Sequence, residues 1–151
     1  IHTNSAVATI TRLMEMGVAD YLLASALRAI TAQRLIRKLC SNCKTSEAPR
    51  YSFKKLLEVE LGVQVEEIFK ATGCAECRNT GYSGRTSISE VVTITSDLQR
   101  LISSRGSEND MRAHIKENGW ESLREAGFQT VVRGETTIDE VIRVVGAGAM
   151  A

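Results

Sequence analysis

The sequence predicts a mixed α/β fold carrying a metal-bound excursion, and three observations carry that prediction. Four cysteines fall in two identical C-x-x-C pairs. The run from Arg85 to Ile94, "RTSISEVVTI", is rich in Thr, Ile and Val and reads as a strand. Segments of helical periodicity with capping residues stand on either side of it.

The 151 residues fit one ordinary domain, or one domain with a small appended module, and are enough to bury a core without staples. The composition, 43% hydrophobic and 25% charged, is that of a globular protein. A net charge of +1 argues against binding nucleic acid through bulk electrostatics. No apolar run approaches the roughly 18 residues that span a bilayer, and the start lacks a signal-peptide layout. The chain opens Ile1-His2-Thr3-Asn4 with no initiator methionine, so it is expected to be a fragment of something longer.

The cysteines form the pairs Cys40-Ser41-Asn42-Cys43 and Cys74-Ala75-Glu76-Cys77, with 30 residues between them. A C-x-x-C loop lets two thiolates face one ion, and two such loops complete a tetrahedral site with metal–sulfur distances of about 2.3 Å. Competing uses are two disulfides, a redox pair or four unrelated thiols. Disulfides need an oxidising compartment, and a redox C-x-x-C normally comes singly. The reading is therefore structural zinc on Cys40, Cys43, Cys74 and Cys77. Gly73 and Gly81 give the backbone freedom the second loop needs.

In chain order, Asn4 is placed to cap a helix to about Met16, with Val7, Ile10, Leu13 and Met14 on one face and Gly17 ending it. A second helix starts near Asp20 and points Leu22, Leu23, Ala26, Leu27 and Ile30 inward. The next segment, "TAQRLIRKLC", suits a helix or a strand equally. Residues 45–66 are polar with a short helical pattern at Phe53, Leu56 and Leu57, and read as an excursion between the cysteine loops. After the strand, Ser96-Asp97 open a short helix, and Ser107 to Asp110 resembles a capping box before Met111 and Ile115. Leu123, Phe128, Val131 and Val132 lie on the next helix, which Gly134 ends. Thr137 to Glu140 is a second capping box, followed by Val141, Ile142 and Val145. The end "GAGAMA" is expected to fray.

No G-x-x-x-x-G-K-[ST], G-x-S-x-G or H-E-x-x-H occurs in the 151 residues, so this chain taken alone is expected not to be an enzyme. His114 sits in a polar helix and reads as a solvated surface residue. Arg28, Arg34, Arg37, Lys38 and Lys44 form a basic run with no acid among them. It is either a solvated face or a contact for an acidic partner, a neighbouring subunit, nucleotide phosphate or anionic lipid.

Three phrases then fall into a known order. "IHTNSAVATITRLMEMGV" looks like the His box of the type II secretion and type IV pilus assembly ATPases. "LLASALRAITAQRLIRKLCSNCK" resembles that family's A-Q-R-L segment entering a first zinc knuckle. "ATGCAECRNTGYSGRTSISEVV" is similar to its G-C-x-x-C-x-x-T-G-Y-x-G-R-T signature, and "GETTIDEVIRVV" resembles its ending. The chain departs from G-R-T-G-I-H-E at Ser87 and Ser89, which touches no cysteine. Retraction motors of the family generally lack the tetracysteine motif, so the signature favours an assembly or secretion ATPase.

The resemblance implies an α/β fold that is the C-terminal part of a RecA-like, P-loop NTPase motor domain, with a tetracysteine zinc excursion and a C-terminal helical subdomain. Residues 1–39 would end the motor core, 40–84 would be the zinc module, 85–95 a strand returning to the core, and 96–151 the helical subdomain. It further implies a cytoplasmic homo-hexamer on the cytoplasmic face of the bacterial inner membrane. Its partners would be an inner-membrane platform protein and neighbouring subunits, with no nucleic acid. Zinc is implied in this chain; ATP and magnesium belong to the full-length parent, where His2 would stand near the γ-phosphate. Replacing Cys74 with serine is expected to loosen residues 40–90 and leave the C-terminal helices folded. The alternatives are a zinc-ribbon nucleic-acid module and a stand-alone zinc-stabilised adaptor. The near-neutral charge and 5% aromatic content weigh against the former.

Overall fold

The computed structural model describes residues 5–146, which pack as two compact units. One is built from 5–33 and 89–122, the other from 34–88 and 123–146. The helical end expected over 96–151 is thus shared between them, and the expected fraying at the terminus falls largely outside the described residues.

The first unit begins with α1 (Ala6–Glu15) and α2 (Asp20–Ala26). Asn4 lies outside the described residues, and Ser5 caps α1, its Oγ accepting from the Ala8 amide at 3.2 Å. The Ala6 amide donates to the buried Glu90 carboxylate. Ala6, Val7 and Ile10 are fully buried, and Gly17 at φ +89° turns the chain out of the helix. In α2, Leu23 and Ala24 enter the core, whereas Leu22, expected inward, is 50% exposed. The helix also stops sooner than its periodicity suggests. Leu27 is already extended, and Ile30 lies in β1 (Ala29–Leu39).

The ambiguous segment is therefore a strand. Its burial alternates along much of its length, as in a sheet with one covered face. Its partner is β4 (Tyr82–Thr93), on which Ile88, Glu90 and Val92 are buried between exposed neighbours. A helix over 31–40 would satisfy only itself; the strand lets both backbones share one ladder. In the first unit the chain continues into α4 (Ser96–Ser103), capped by Thr95, and α5 (Glu108–Glu117). The capping box at Ser107 and Asp110 is complete, each side chain accepting from the other's amide. Leu98, Ile102, Met111 and Ile115 close the core over Val7, Ile10 and Leu23.

In the second unit the polar-looking region 45–66 does more than bridge two loops. It contains β2 (Thr45–Glu47) and α3 (Tyr51–Leu61), and β2 pairs antiparallel with β3 (Ile68–Lys70), Ser46 opposite Phe69. Leu57 of α3 is 0% exposed and packs with Ile68 and with Phe128, Val131, Ile138 and Val141 of α6 (Leu123–Val132) and α7 (Ile138–Val145). Helices α6 and α7 meet closely at Gly127, where a Cβ would fall 2.7 Å from Val141 Cγ1. Both helices, which fall within the helical subdomain expected over 96–151, share one core with α3 and β3. Among the described residues no helix is long and apolar enough to cross a membrane.

Candidate metal centre

The ends of β1 and β4 and the short β2–β3 ladder bring both C-x-x-C loops to one place in the second unit. Cys40 follows the last residue of β1, and its amide donates to Gly81 O at 2.9 Å, one residue ahead of β4. Each loop closes on itself. The Lys44 amide donates to Cys40 O at 3.0 Å, and the Asn79 amide to Cys74 O at 2.8 Å. The chain leaving the second loop turns sharply, with Arg78 and Asn79 both at positive φ. Gly81, at φ +77°, is required for a further reason: a Cβ there would lie 2.5 Å from that of Ala71.

The four thiol sulfurs lie within 4.8 Å of one another and are close enough to hold a metal ion. Sulfur separations are 3.9 Å for Cys40 and Cys74, 3.8 Å for Cys43 and Cys77, and 3.7 Å for Cys74 and Cys77. Sulfurs at the corners of a tetrahedron about 2.3 Å from its centre stand about 3.8 Å apart. A disulfide needs about 2.05 Å, and all four cysteines are unbonded. The donor set therefore fits a tetrahedral thiolate-binding ion, with Cys40 and Cys77 buried and the other two half-buried.

The surroundings are prepared for negative sulfur. The Gly73 amide points at Cys43 Sγ at 3.3 Å, and those of Cys74 and Gly81 both point at Cys77 Sγ at 3.2 Å. The Asn42 side-chain amide reaches Cys74 Sγ at 3.4 Å. Burial pushes the Cys77 thiol up, yet the amides of Cys74 and Gly81 and the adjacent thiols outweigh it and bring the group down to about 6. Cys74 is lowered, first by Asn42 and then by its neighbour Cys77, against burial. Cys43 is pushed up to about 12, chiefly by burial, with the crowding thiols opposing the single Gly73 amide. A bound cation would remove the proton from every coordinating thiol, that of Cys43 included.

The basic run falls apart into different roles. Arg37 is bound by the side chain of Glu140, and its guanidinium lies 4.1 Å from the centre of the Tyr82 ring. Lys44 donates to Gly134 O at 2.8 Å and sits over the Phe69 ring. Arg28 and Lys38 are exposed. His114, read as solvated, is half-buried. Its Nε2 lies 3.2 Å from Thr95 Oγ1, in a cavity of about 420 Å³ that Trp120 also lines. His2 lies outside the described residues.

Sequence reasoning missed Glu140. Thr137 caps α7 as expected, its Oγ1 accepting from the Glu140 amide at 3.1 Å. The Glu140 carboxylate does not return to the cap. It accepts the Arg37 amide at 2.9 Å and the guanidinium groups of Arg37 and Arg143 at 2.6–3.0 Å. Burial raises this fully covered carboxyl, but those donors outweigh it and hold it at about 2. Only the acid at the third helical position hinted at it, and that signal points to a cap.

Comparison with known proteins completes the identification. The model of the type II/IV secretion system protein family matches residues 1–143. The chain is 38% identical to the type II secretion system protein HxcR of Pseudomonas aeruginosa over 95% of its own length and 27% of that protein's. It is 38% identical to type II secretion system ATPase E of Vibrio cholerae, covering 95% of the chain and 28% of the relative. It is 40% identical to the type IV pilus assembly ATPase PilB of P. aeruginosa, covering 95% and 25%. The chain spans about a quarter of the length of these curated relatives. Matched from its first residue to its last helix, the chain belongs to the type II/IV secretion system protein family.

Proposed function

We propose that this chain is the C-terminal, zinc-bearing region of a hexameric ATPase that powers type II secretion or type IV pilus assembly. The observation that carries the reading is the tetrahedral spacing of the four cysteine sulfurs, in a chain whose relatives bear the names of secretion and pilus ATPases. Cys40, Cys43, Cys74 and Cys77 would hold a structural zinc ion, which leaves no coordination position open for water and so no catalytic role for the metal. The preceding part of the parent would supply a RecA-like motor core with its P-loop, ATP and magnesium, with His2 near the γ-phosphate. The hexamer would work at the cytoplasmic face of the inner membrane against a platform protein, and the 151 residues by themselves would not hydrolyse ATP.

Elemental mass spectrometry on protein purified without added zinc should find about one zinc per chain, with four reactive thiols after chelation in denaturant. The gene product containing this chain should hydrolyse ATP, and His2→Ala in it should slow that hydrolysis. Metal-free protein without reactive thiols would remove the zinc assignment. A gene product inert toward ATP would remove the motor assignment.

A further inference from the structure

The turn between α6 and α7 touches every chain segment that enters or leaves the two cysteine loops. Ahead of Cys40, the Leu39 amide donates to Glu135 O at 2.8 Å, and Thr136 Oγ1 donates to Arg37 O at 2.7 Å. Just after Cys43, Lys44 Nζ donates to Gly134 O at 2.8 Å. Ahead of Cys74, the Phe69 ring lies so close to Gly134 that a Cβ there would meet it at 2.8 Å. After Cys77, the Tyr82 hydroxyl lies 2.7 Å from Thr137 Oγ1. Glu140, one turn further on, grips both the backbone and the guanidinium of Arg37. Four segments, around residues 37–39, 44, 69 and 82, are thus registered against one seven-residue stretch, 134–140.

We infer that the α6–α7 turn is the positioning element of the cysteine centre, with Lys44 as its link to the first loop. The inference rests on the metal reading above. A tetrahedral thiolate site binds more tightly when its sulfurs are held in place, and residues behind the ligands commonly change affinity by factors of about 10–100. Lys44 follows the ligand Cys43 directly in sequence, so its bond to Gly134 O ties the exit of the first loop to the turn. Because binding free energies are reciprocal, metal that is held better when the turn is in place must in turn hold the turn. Loading of the metal and seating of the C-terminal hairpin are then one equilibrium.

The test follows zinc from the loaded chain into excess chromophoric chelator, with amide exchange on loaded and metal-free protein. Lys44→Met, which keeps an unbranched side chain of similar length and removes the donor to Gly134 and the cation over Phe69, should release zinc about tenfold faster with unchanged helix content. Lys44→Arg should stay within about threefold of the parent. Zinc added to metal-free chain should slow exchange at Leu39 and across 134–140, and leave α1 and α5 as they were. A parent that binds no zinc overturns the metal reading and this inference with it. A parent that binds zinc, with Lys44→Met releasing it at the parental rate and 134–140 blind to loading, overturns this inference alone.

Discussion

The two units of this chain are held together by different means. The unit made of 5–33 and 89–122 closes a single cluster of buried residues, all aliphatic or Met, drawn from α1, α2, α4, α5 and the end of β4. The unit made of 34–88 and 123–146 spreads its apolar burial over two smaller clusters, one around Leu57 and Phe128 and one around Ile36 and Ile88. It adds a cysteine centre and a buried carboxylate between two arginines. A unit with one continuous core derives its stability from area removed from water. A unit with a divided core depends on a few specific bonds, and should therefore respond to metal where the other does not.

The largest expected effect comes from removing the metal. Structural zinc contributes roughly 10 kcal/mol or more to small domains that depend on it. Chelation, or Cys74→Ser, should raise amide exchange throughout 34–88 and 123–146 while 5–33 and 89–122 keep their protection. Exchange confined to 40–90, with α6 and α7 unmoved, would contradict the shared core of the second unit. The converse perturbation is Leu98→Ala. Leu98 is fully buried in the first unit, and its truncation should cost that unit about 3 kcal/mol. Zinc content should not change; a loss of metal in this variant would sink the contrast between the units.

Glu140→Gln comes next. Removing one partner of a buried ion pair costs about 3–5 kcal/mol, but Arg37 and Arg143 are half exposed and can regain water, so about 2 kcal/mol is expected. The pH dependence has a definite sign. Glu140 is depressed from an ordinary 4.5 to about 2, so its contribution is complete above pH 4.5 and disappears as pH falls toward 2. Denaturant unfolding of parent and variant should differ at pH 7 and converge across that window; a constant difference would show that the carboxylate charge is not what the arginines hold. The smallest effect is expected from Thr95→Ala, which deletes the cap of α4 and the hydroxyl beside His114. A loss of about 1 kcal/mol in the first unit, read by thermal unfolding, is the expected result. No measurable change would mean that water replaces the cap.

Legibility in the sequence followed the range of the interaction. The cysteine centre could be read because two ligands lie in each loop three residues apart, and only the meeting of the loops needed the fold. The capping box at Ser107 was read correctly because Ser107 and Asp110 satisfy each other within one turn. The same pattern at Thr137 was half right, because Glu140 found donors on Arg37, 103 positions away, that a local pattern cannot register. Leu22 was misplaced because the face that α2 buries is centred on Leu23 and Ala24, and Leu22 stands to one side of it. Leu57 was recognised as a helix position, but not as the residue that joins the region between the cysteine loops to α6 and α7.

By itself, the sequence determined the pairing of the four cysteines in two loops, the cap of α5, the β4 strand and the family, since each is written in residue types a few positions apart. Tertiary structure decided whether 31–39 became helix or strand, which helices share a core with the cysteine loops, and where Glu140 spends its charge. In Leu35-Ile36-Arg37-Lys38-Leu39 the spacing of the apolar residues suits a helix or a strand. What selects the strand is β4, whose free backbone groups are paired when β1 lies against them.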